Sequence, residues 1–462
     1  MKILLINPLL KSSDMFLKLK SANNIIPPMG LLYIGSVLQK SGFEVKLLDG
    51  LVSCDKIEDF IAEVKNYKPD IIGFSSMFSN FKLANRILKK IKLFSKSLMI
   101  LGGNYVTEDP NCLLNSDFNI GVVEEGEKTF LNICLNWKNK KSLLNIPGSI
   151  IKNKNKIISF PPEELDDLNK LPFPDRSLLK NIYLYKPGIV NVKELPCALM
   201  FTSRNCPYEC IYCNVTAKKS KYKEHSSKYV LAEMEYLINK FKIRNFWISD
   251  DMFTLNKKRI MKLCKAIYDK KLNINWSCMS RVDTIDSKML NLMKKAGCWQ
   301  IDYGIESGNQ KILDLINKKI TLPTIRTAIS ETKKLGIKTK GFFIIGSPGE
   351  TKSTINDTIK LACELDLDSA CFFSLSIIKG SKLYGMYEDY GFIDNHDGLF
   401  LKQNFNLFIP KSLTKKELVK LQKTAYFRFY FRLSYIIKQL ISISSLQDLK
   451  NKFLGLTSFI WN

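Results

Sequence analysis

The chain has 462 residues, 45% of them hydrophobic, with a formal net charge of +26. That length suits two or three domains rather than one, and no run of about 18 apolar residues is present to span a bilayer. The charge is spread through linkers and helix faces alike, so it reads as solvated surface, not as the concentrated, aromatic-lined groove that nucleic acid needs, and nucleic acid is not an expected partner.

In chain order, Lys2–Asn7 reads as a buried strand; Asn7-Pro8 ends it without the small-residue cleavage site of a signal peptide. Strands follow at Glu44–Asp49, Asp70–Ser75, Ser97–Gly102 and Ile120–Val123. Helices are expected at Leu31–Ser41, Asp55–Tyr67, Lys82–Phe94 and Glu127–Trp137. This alternation predicts a doubly wound parallel sheet over residues 1–140, with ligands beyond the carboxyl ends of its strands. The loops there are polar or glycine-rich: Ser75-Ser76-Met77, Gly102-Gly103-Asn104 and Glu125-Gly126. Residues 141–190 are rich in lysine, asparagine and proline and read as an ordered linker across a surface.

A second alternating series fills 191–405, with strands at Cys197–Thr202, Asn245–Ser249, Asn275–Cys278, Gln300–Ile305, Thr339–Ile345 and Cys371–Ser376. Six such units predict an open, partial barrel whose chemistry sits at the strands' carboxyl ends. Just beyond its first strand lies Cys206-Pro207-Tyr208-Glu209-Cys210-Ile211-Tyr212-Cys213, a C-x3-C-x2-C spacing. Three thiolates on one loop can hold three irons of a [4Fe-4S] cluster and leave the fourth without a protein ligand. A closed zinc site wants a fourth ligand, and none follows within the loop. The other nine cysteines stand singly in apolar surroundings and read as core, which suits a reducing, cytoplasmic location. His225 and His396 both sit in polar stretches and read as turn residues.

The cysteine loop resembles that of radical S-adenosylmethionine (SAM) enzymes. Four later segments fit the same core in order: Ser249-Asp250-Asp251, Ser280-Arg281-Val282-Asp283, Gly304-Ile305-Glu306-Ser307-Gly308 and Gly341–Thr351. The resemblance implies that Cys206, Cys210 and Cys213 hold the cluster. It places Asp250 or Asp251 at the SAM amino group, Arg281 at its carboxylate, and Glu306 and Ser307 at ribose or methionyl groups. Tyr212, beside the last thiol, and backbone near Gly346 complete the SAM site, with adenine against the latter. The first domain is similar to the cobalamin-binding domain of a large radical SAM subgroup, through Pro27–Gly35, Gly102–Thr107, Val123–Phe130 and the linker's Leu171-Pro172-Phe173-Pro174-Asp175. Ser75, Ser76, Met77, Gly102, Gly103, Asn104, Glu125 and Gly126 are then the cobalamin contacts. No histidine in that domain is available to cobalt.

The implied α/β architecture is a Rossmann-like cobalamin-binding-type domain, a partial (β/α)6 radical SAM barrel and, over 406–462, a helical extension. The implied activity is cleavage of SAM at the cluster to a 5′-deoxyadenosyl radical, with cobalamin-dependent methyl transfer to an unactivated carbon. Two alternatives stay open: an oxidative cyclisation like that of anaerobic porphyrin cyclases, and a radical SAM enzyme with a degenerate cobalamin domain. An RNA-modifying methylthiotransferase is disfavoured, because Cys54, Cys112 and Cys134 are not placed for its second cluster. The partners implied are a small-molecule, lipid or natural-product substrate and an external electron donor of flavodoxin or ferredoxin type. The basic, aromatic tail around Tyr426–Arg432 and Tyr435 reads first as packing that closes the barrel, and second as a surface for anionic membrane.

Overall fold

The computed structural model describes residues 1–10, 25–188, 191–213, 221–394 and 407–441. His396 and the last 21 residues of the tail, 442–462, lie outside the described residues. Two compact units result, and among the described residues they part between Lys186 and Pro187.

The first unit is built on strands β1 (Lys2–Asn7), β2 (Glu44–Asp49), β3 (Ile71–Ser75), β4 (Leu98–Gly102), β5 (Ile120–Val122), β6 (Ser149–Asn153) and β7 (Lys156–Ser159). Their order in the sheet is β2-β1-β3-β4-β5-β6-β7. The first five pair in parallel, with Lys2 opposite Glu44 and Ile3 opposite Ile71. Ile3, Leu4, Leu5 and Ile6 are all fully buried, as a strand covered by helices on both faces requires. Helices Met29–Lys40, Ile57–Tyr67, Phe81–Lys92 and Gly126–Lys138 supply those covers. Phe81–Lys92 turns Ala84, Ile87, Leu88 and Ile91 inward, a helical stripe against the sheet. Because β1 lies between β2 and β3, the sheet has a topological switch point, the usual ligand crevice of such folds.

The stretch expected as a linker needs correction. Its Ile150-Ile151 and Ile157-Ile158 pairs form the antiparallel hairpin β6–β7, and β6 pairs with β5, so the sheet gains two strands. The lysine and asparagine content of this stretch hid two short apolar strands around a turn whose Lys154 is left-handed at φ 52°. Farther on, Asp167, Asp175 and Asn181 each cap a short 3-10 turn with their own side chain. The Asp175 amide donates to Ser36 Oγ and the Tyr185 hydroxyl to Asp49, which fixes this stretch to the first unit.

In the second unit, strands β8 (Cys197–Met200), β11 (Asn245–Ile248), β12 (Asn275–Ser280), β13 (Cys298–Glu306), β14 (Lys338–Ile345) and β15 (Ser369–Ser374) form an open, parallel six-stranded sheet in sequence order. Short pairs β9 (Ser203–Arg204) with β10 (Lys223–Glu224), and β16 (Gly391–Asp394) with β17 (Leu407–Pro410), are antiparallel. The C-terminal extension therefore opens with a strand before its helices Lys415–Tyr430 and Leu433–Ile441.

The first of these helices serves the barrel edge. The Ala370 amide donates to the Tyr430 hydroxyl, which donates in turn to the Ala370 carbonyl. The Phe372 amide donates to the Tyr426 hydroxyl and Gln422 Nε2 to the Phe372 carbonyl. Backbone groups of edge strand β15 are thus satisfied by tail side chains, which protects an edge otherwise open to pairing. Phe429 is fully buried, while Phe427 on the other face is 62% exposed.

Candidate active site

The cysteine loop starts where β9 ends, at Asn205, which is held left-handed at φ 65°. Cys210 is buried; Cys206 and Cys213 are half-buried. The Cys213 amide donates to the Cys210 carbonyl, which closes the C-x2-C turn. Burial pushes the Cys206 thiol up to about 11, and nearby Cys213, Cys210 and Asp251 add to that shift. A bound iron would reverse it, since thiolates are the ligating form. Among the described residues no three His, Cys, Asp or Glu side chains form a group that could hold a single metal ion. The fit to a cluster therefore rests on donor chemistry: three thiols on one strand-end loop.

Beneath the loop, Asp250 is fully buried. It accepts hydrogen bonds from the Thr202 amide, the Thr202 hydroxyl and the Ser203 hydroxyl, the last at 2.9 Å. Buried Arg259 bonds the carbonyls of Thr202 and His225 and faces the same network. Of the two candidate aspartates, then, Asp250 is spent on holding the start of the cysteine loop, while Asp251 is exposed. Arg281 is likewise committed. It pairs with Asp283 through two bonds of 2.9 Å, donates to the Lys318 carbonyl at 2.7 Å, and stacks over the Tyr208 ring at 3.7 Å.

Glu306 closes β13 at φ 67°, and its carboxylate accepts from Lys318 Nζ at 2.6 Å. The Tyr212 hydroxyl bonds the same carboxylate, and burial pushes that phenol well above its usual range. The Ser307 hydroxyl is fully buried against Thr358 Oγ1 and accepts from the Asn309 amide, so it ties β13 to the helix Lys352–Glu364.

At the end of β14, Gly346 is left-handed at φ 93°. The Gly346 and Ser347 amides donate to Glu350 Oε2, and burial pushes that carboxyl up to about 8. Two polar atoms here are buried without partners, Glu350 Oε1 and Ser347 Oγ. A native loop rarely leaves such atoms unsatisfied, so the loop fits a polar ligand such as a nucleoside. The tail helix supports it: Leu418 lies 2.9 Å from where a Gly346 Cβ would stand, and Ser412 donates to the Glu350 carbonyl.

In the first unit the strand-end loops of β3 and β4 interlock. The Ser76 amide donates to the Gly102 carbonyl and the Tyr105 amide to the Ser76 carbonyl. Gly103 has φ 100° and ψ −179°, a conformation open essentially to glycine alone. A Cβ there would lie 2.4 Å from the Ser76 carbonyl oxygen. Gly102 and exposed Met77, Phe78 and Asn104 offer a mixed apolar and polar surface at these strand ends, which fits a large planar ligand. Gly126 serves packing, since its missing side chain faces Ile34 at 3.1 Å. The Asn80 side chain, unnoticed in the sequence, accepts from the Ser76 hydroxyl and the Met77 amide and shapes this loop.

Gly103→Ala is expected to destabilise the first unit by about 2–3 kcal/mol through backbone strain and overpacking. Urea unfolding followed by circular dichroism measures this. Gly30→Ala, where a new Cβ meets nothing within 4 Å, is the control and is expected to gain stability.

Comparison with known proteins places both units. A Radical SAM superfamily model matches residues 200–362 and a B12 binding domain model matches residues 18–133. The chain is 31% identical over 452 residues to an uncharacterized methyltransferase of Pyrococcus horikoshii, covering 95% of each chain. It is 26% identical over 432 residues to the anaerobic magnesium-protoporphyrin IX monomethyl ester cyclase of Rubrivivax gelatinosus, covering 89% of this chain and 75% of that one. Among solved structures, the radical SAM methyltransferase TsrM of Kitasatospora setae, with cobalamin and a [4Fe-4S] cluster bound, shares the fold at a TM-score of 0.76 and 18% identity, covering 92% of this chain and 90% of that one. A match at this identity along almost the whole of both sequences, with both domain models in order, shows that the chain belongs to the radical SAM enzymes that carry an N-terminal cobalamin-binding domain.

Proposed function

We propose that the protein is a cobalamin-dependent radical SAM methyltransferase that methylates an unactivated carbon of a small-molecule substrate, with a flavodoxin- or ferredoxin-type protein as electron donor. When bound, the cluster and SAM supply radical hydrogen abstraction, and cobalamin supplies a methyl carrier. Cys206, Cys210 and Cys213 would hold the cluster, and Asp251 would accept from the SAM amino group. Arg281 would meet its carboxylate, sharing it with Asp283; Glu306, steadied by Tyr212 and Lys318, would accept from ribose hydroxyls. The Gly346 loop would admit adenine. In the first unit, the loops Ser75–Phe78, Gly102–Asn104 and Glu125–Gly126 would hold cobalamin.

The observation that carries this reading is the cysteine loop beyond the first of six parallel strands: its Tyr208 stacks under Arg281, its Tyr212 bonds Glu306, and Thr202 just before it bonds Asp250. The name of the Pyrococcus relative supports methyl transfer. The cyclase relative supports the second reading, oxidative cyclisation. Anaerobic reconstitution with SAM, cobalamin and a reductant, followed by mass analysis, separates the two. Methyl transfer predicts S-adenosylhomocysteine together with 5′-deoxyadenosine; cyclisation predicts 5′-deoxyadenosine without a methylated product.

Cobalamin bound by the first unit is expected to have no histidine on cobalt. The two histidines of the chain are His225 and His396, and neither belongs to that unit. His225 is buried and stacked on Tyr229 at 3.9 Å. Titration with hydroxocobalamin and an EPR spectrum of the cobalt(II) form test this. Nitrogen superhyperfine splitting from a protein side chain would contradict it, and absence of binding would favour a degenerate domain.

A further inference from the structure

Three consecutive residues beyond the short helix Gln310–Leu315 touch the cysteine loop, Arg281 and Glu306. The Ile316 carbonyl accepts from the Ile211 amide, inside the cysteine loop, at 3.1 Å. Asn317 Nδ2 donates to the Glu209 carbonyl of the same loop at 2.8 Å. The Lys318 carbonyl accepts from Arg281 at 2.7 Å, while Lys318 Nζ donates to Glu306 at 2.6 Å. Lys318 is only 6% exposed, so its ammonium has little water to answer it and is held by that carboxylate. The turn itself is fixed by the Lys318 amide, which donates to the Leu313 carbonyl, and by Asn317 at φ 55°.

From this we infer that Ile316–Lys318 is a positioning element for the SAM site, with Lys318 as its central residue. One side chain sets the place of Glu306, and its own carbonyl sets Arg281. These are the two residues proposed above to meet the carboxylate and the ribose of SAM. The neighbouring Asn317 and Ile316 fix the cysteine loop against the same turn, so loop and SAM contacts keep one register. No sequence motif marks this role, because a lysine in Asn317-Lys318-Lys319 looks like one more surface charge. The inference rests on the SAM-site reading, and its test must fail separately from that reading.

The test uses the full chain, anaerobically reconstituted, with S-adenosylhomocysteine as the probe in equilibrium dialysis. Iron content and the urea midpoint are read beside it. Lys318→Met is expected to weaken S-adenosylhomocysteine binding by about tenfold or more, the effect of losing a charge-assisted bond, at unchanged iron content. Lys318→Arg keeps the charge and is expected to recover most of that loss. Asn317→Gly suits the left-handed backbone and is expected to leave the urea midpoint unchanged or higher. Without its bond to Glu209 it is expected to release iron to a chelator severalfold faster. A Lys318→Met chain that binds S-adenosylhomocysteine like wild type overturns the inference. So does an Asn317→Gly chain with a wild-type rate of iron release, and that result decides alone if Lys318→Met does not fold. Wild-type chain that fails to take up a cluster or to bind the probe overturns the functional reading, and this inference with it.

Discussion

Replacing Cys206, Cys210 and Cys213 together by alanine is expected to yield a folded chain with no iron–sulfur absorbance and no reductive cleavage of SAM. Folding should survive because the loop is held by contacts that the substitution leaves in place. The Ile211 amide bonds the Ile316 carbonyl, the Leu383 amide bonds the Ile211 carbonyl, and Glu209 pairs with Lys382 at 3.2 Å. Two of the three thiols are only half-buried, so removing them leaves no large cavity; Cys210 alone is expected to cost about 1 kcal/mol. Cys278→Ala is the contrasting control. Cys278 is 1% exposed and lies beside Cys298 and Cys264, with burial pushing its thiol well up, so its loss should lower the urea midpoint while the iron remains. Four irons per chain in the triple variant would remove the cluster from this loop.

Of the nine scattered cysteines read as core, seven are buried as expected, while Cys363 and Cys371 are only half-buried. Spacing alone singles out three thiols on one loop as candidate ligands, a pattern the scattered ones lack. The parallel strands of both sheets were legible from composition: runs such as Ile3–Ile6 and Phe342–Ile345 are apolar and short, as buried parallel strands must be. The hairpin β6–β7 was missed because each strand carries only one isoleucine pair, flanked by lysine, asparagine and serine, at a sheet margin where a strand needs fewer apolar residues. The polar site was harder. An aspartate pair or a lysine reads the same in sequence whether it faces a ligand or a neighbour. The contacts of Ser307 and Lys318 come from the packing of segments some 50 and 12 residues away, at Thr358 and Glu306, and no local pattern encodes that.

The adjacent aspartates allow the sharpest separation of support from ligand. Asp250→Ala is expected to destabilise the second unit by about 3 kcal/mol, because it strips the partner from three donors and leaves Arg259 facing a hole. The Thr202 amide and hydroxyl and the Ser203 hydroxyl all point at that carboxylate. Arg259, 5% exposed, keeps Glu224 as a nearby opposite charge, at 3.8 Å. Cluster loading should fall with stability, since Thr202 and Ser203 lead directly into the cysteine loop. Asp251→Ala alters an exposed residue and is expected to shift the urea midpoint by less than about 0.5 kcal/mol. It should nonetheless weaken S-adenosylhomocysteine binding severalfold in the reconstituted enzyme, as the loss of an acceptor for the amino group requires. Asp250→Asn adds the decisive comparison: it preserves shape and removes charge, so a supporting role predicts partial loss of stability before any loss of affinity. If that variant kept full stability and iron yet lost the ligand, Asp250 would be the SAM contact and the network beneath the loop merely its anchor.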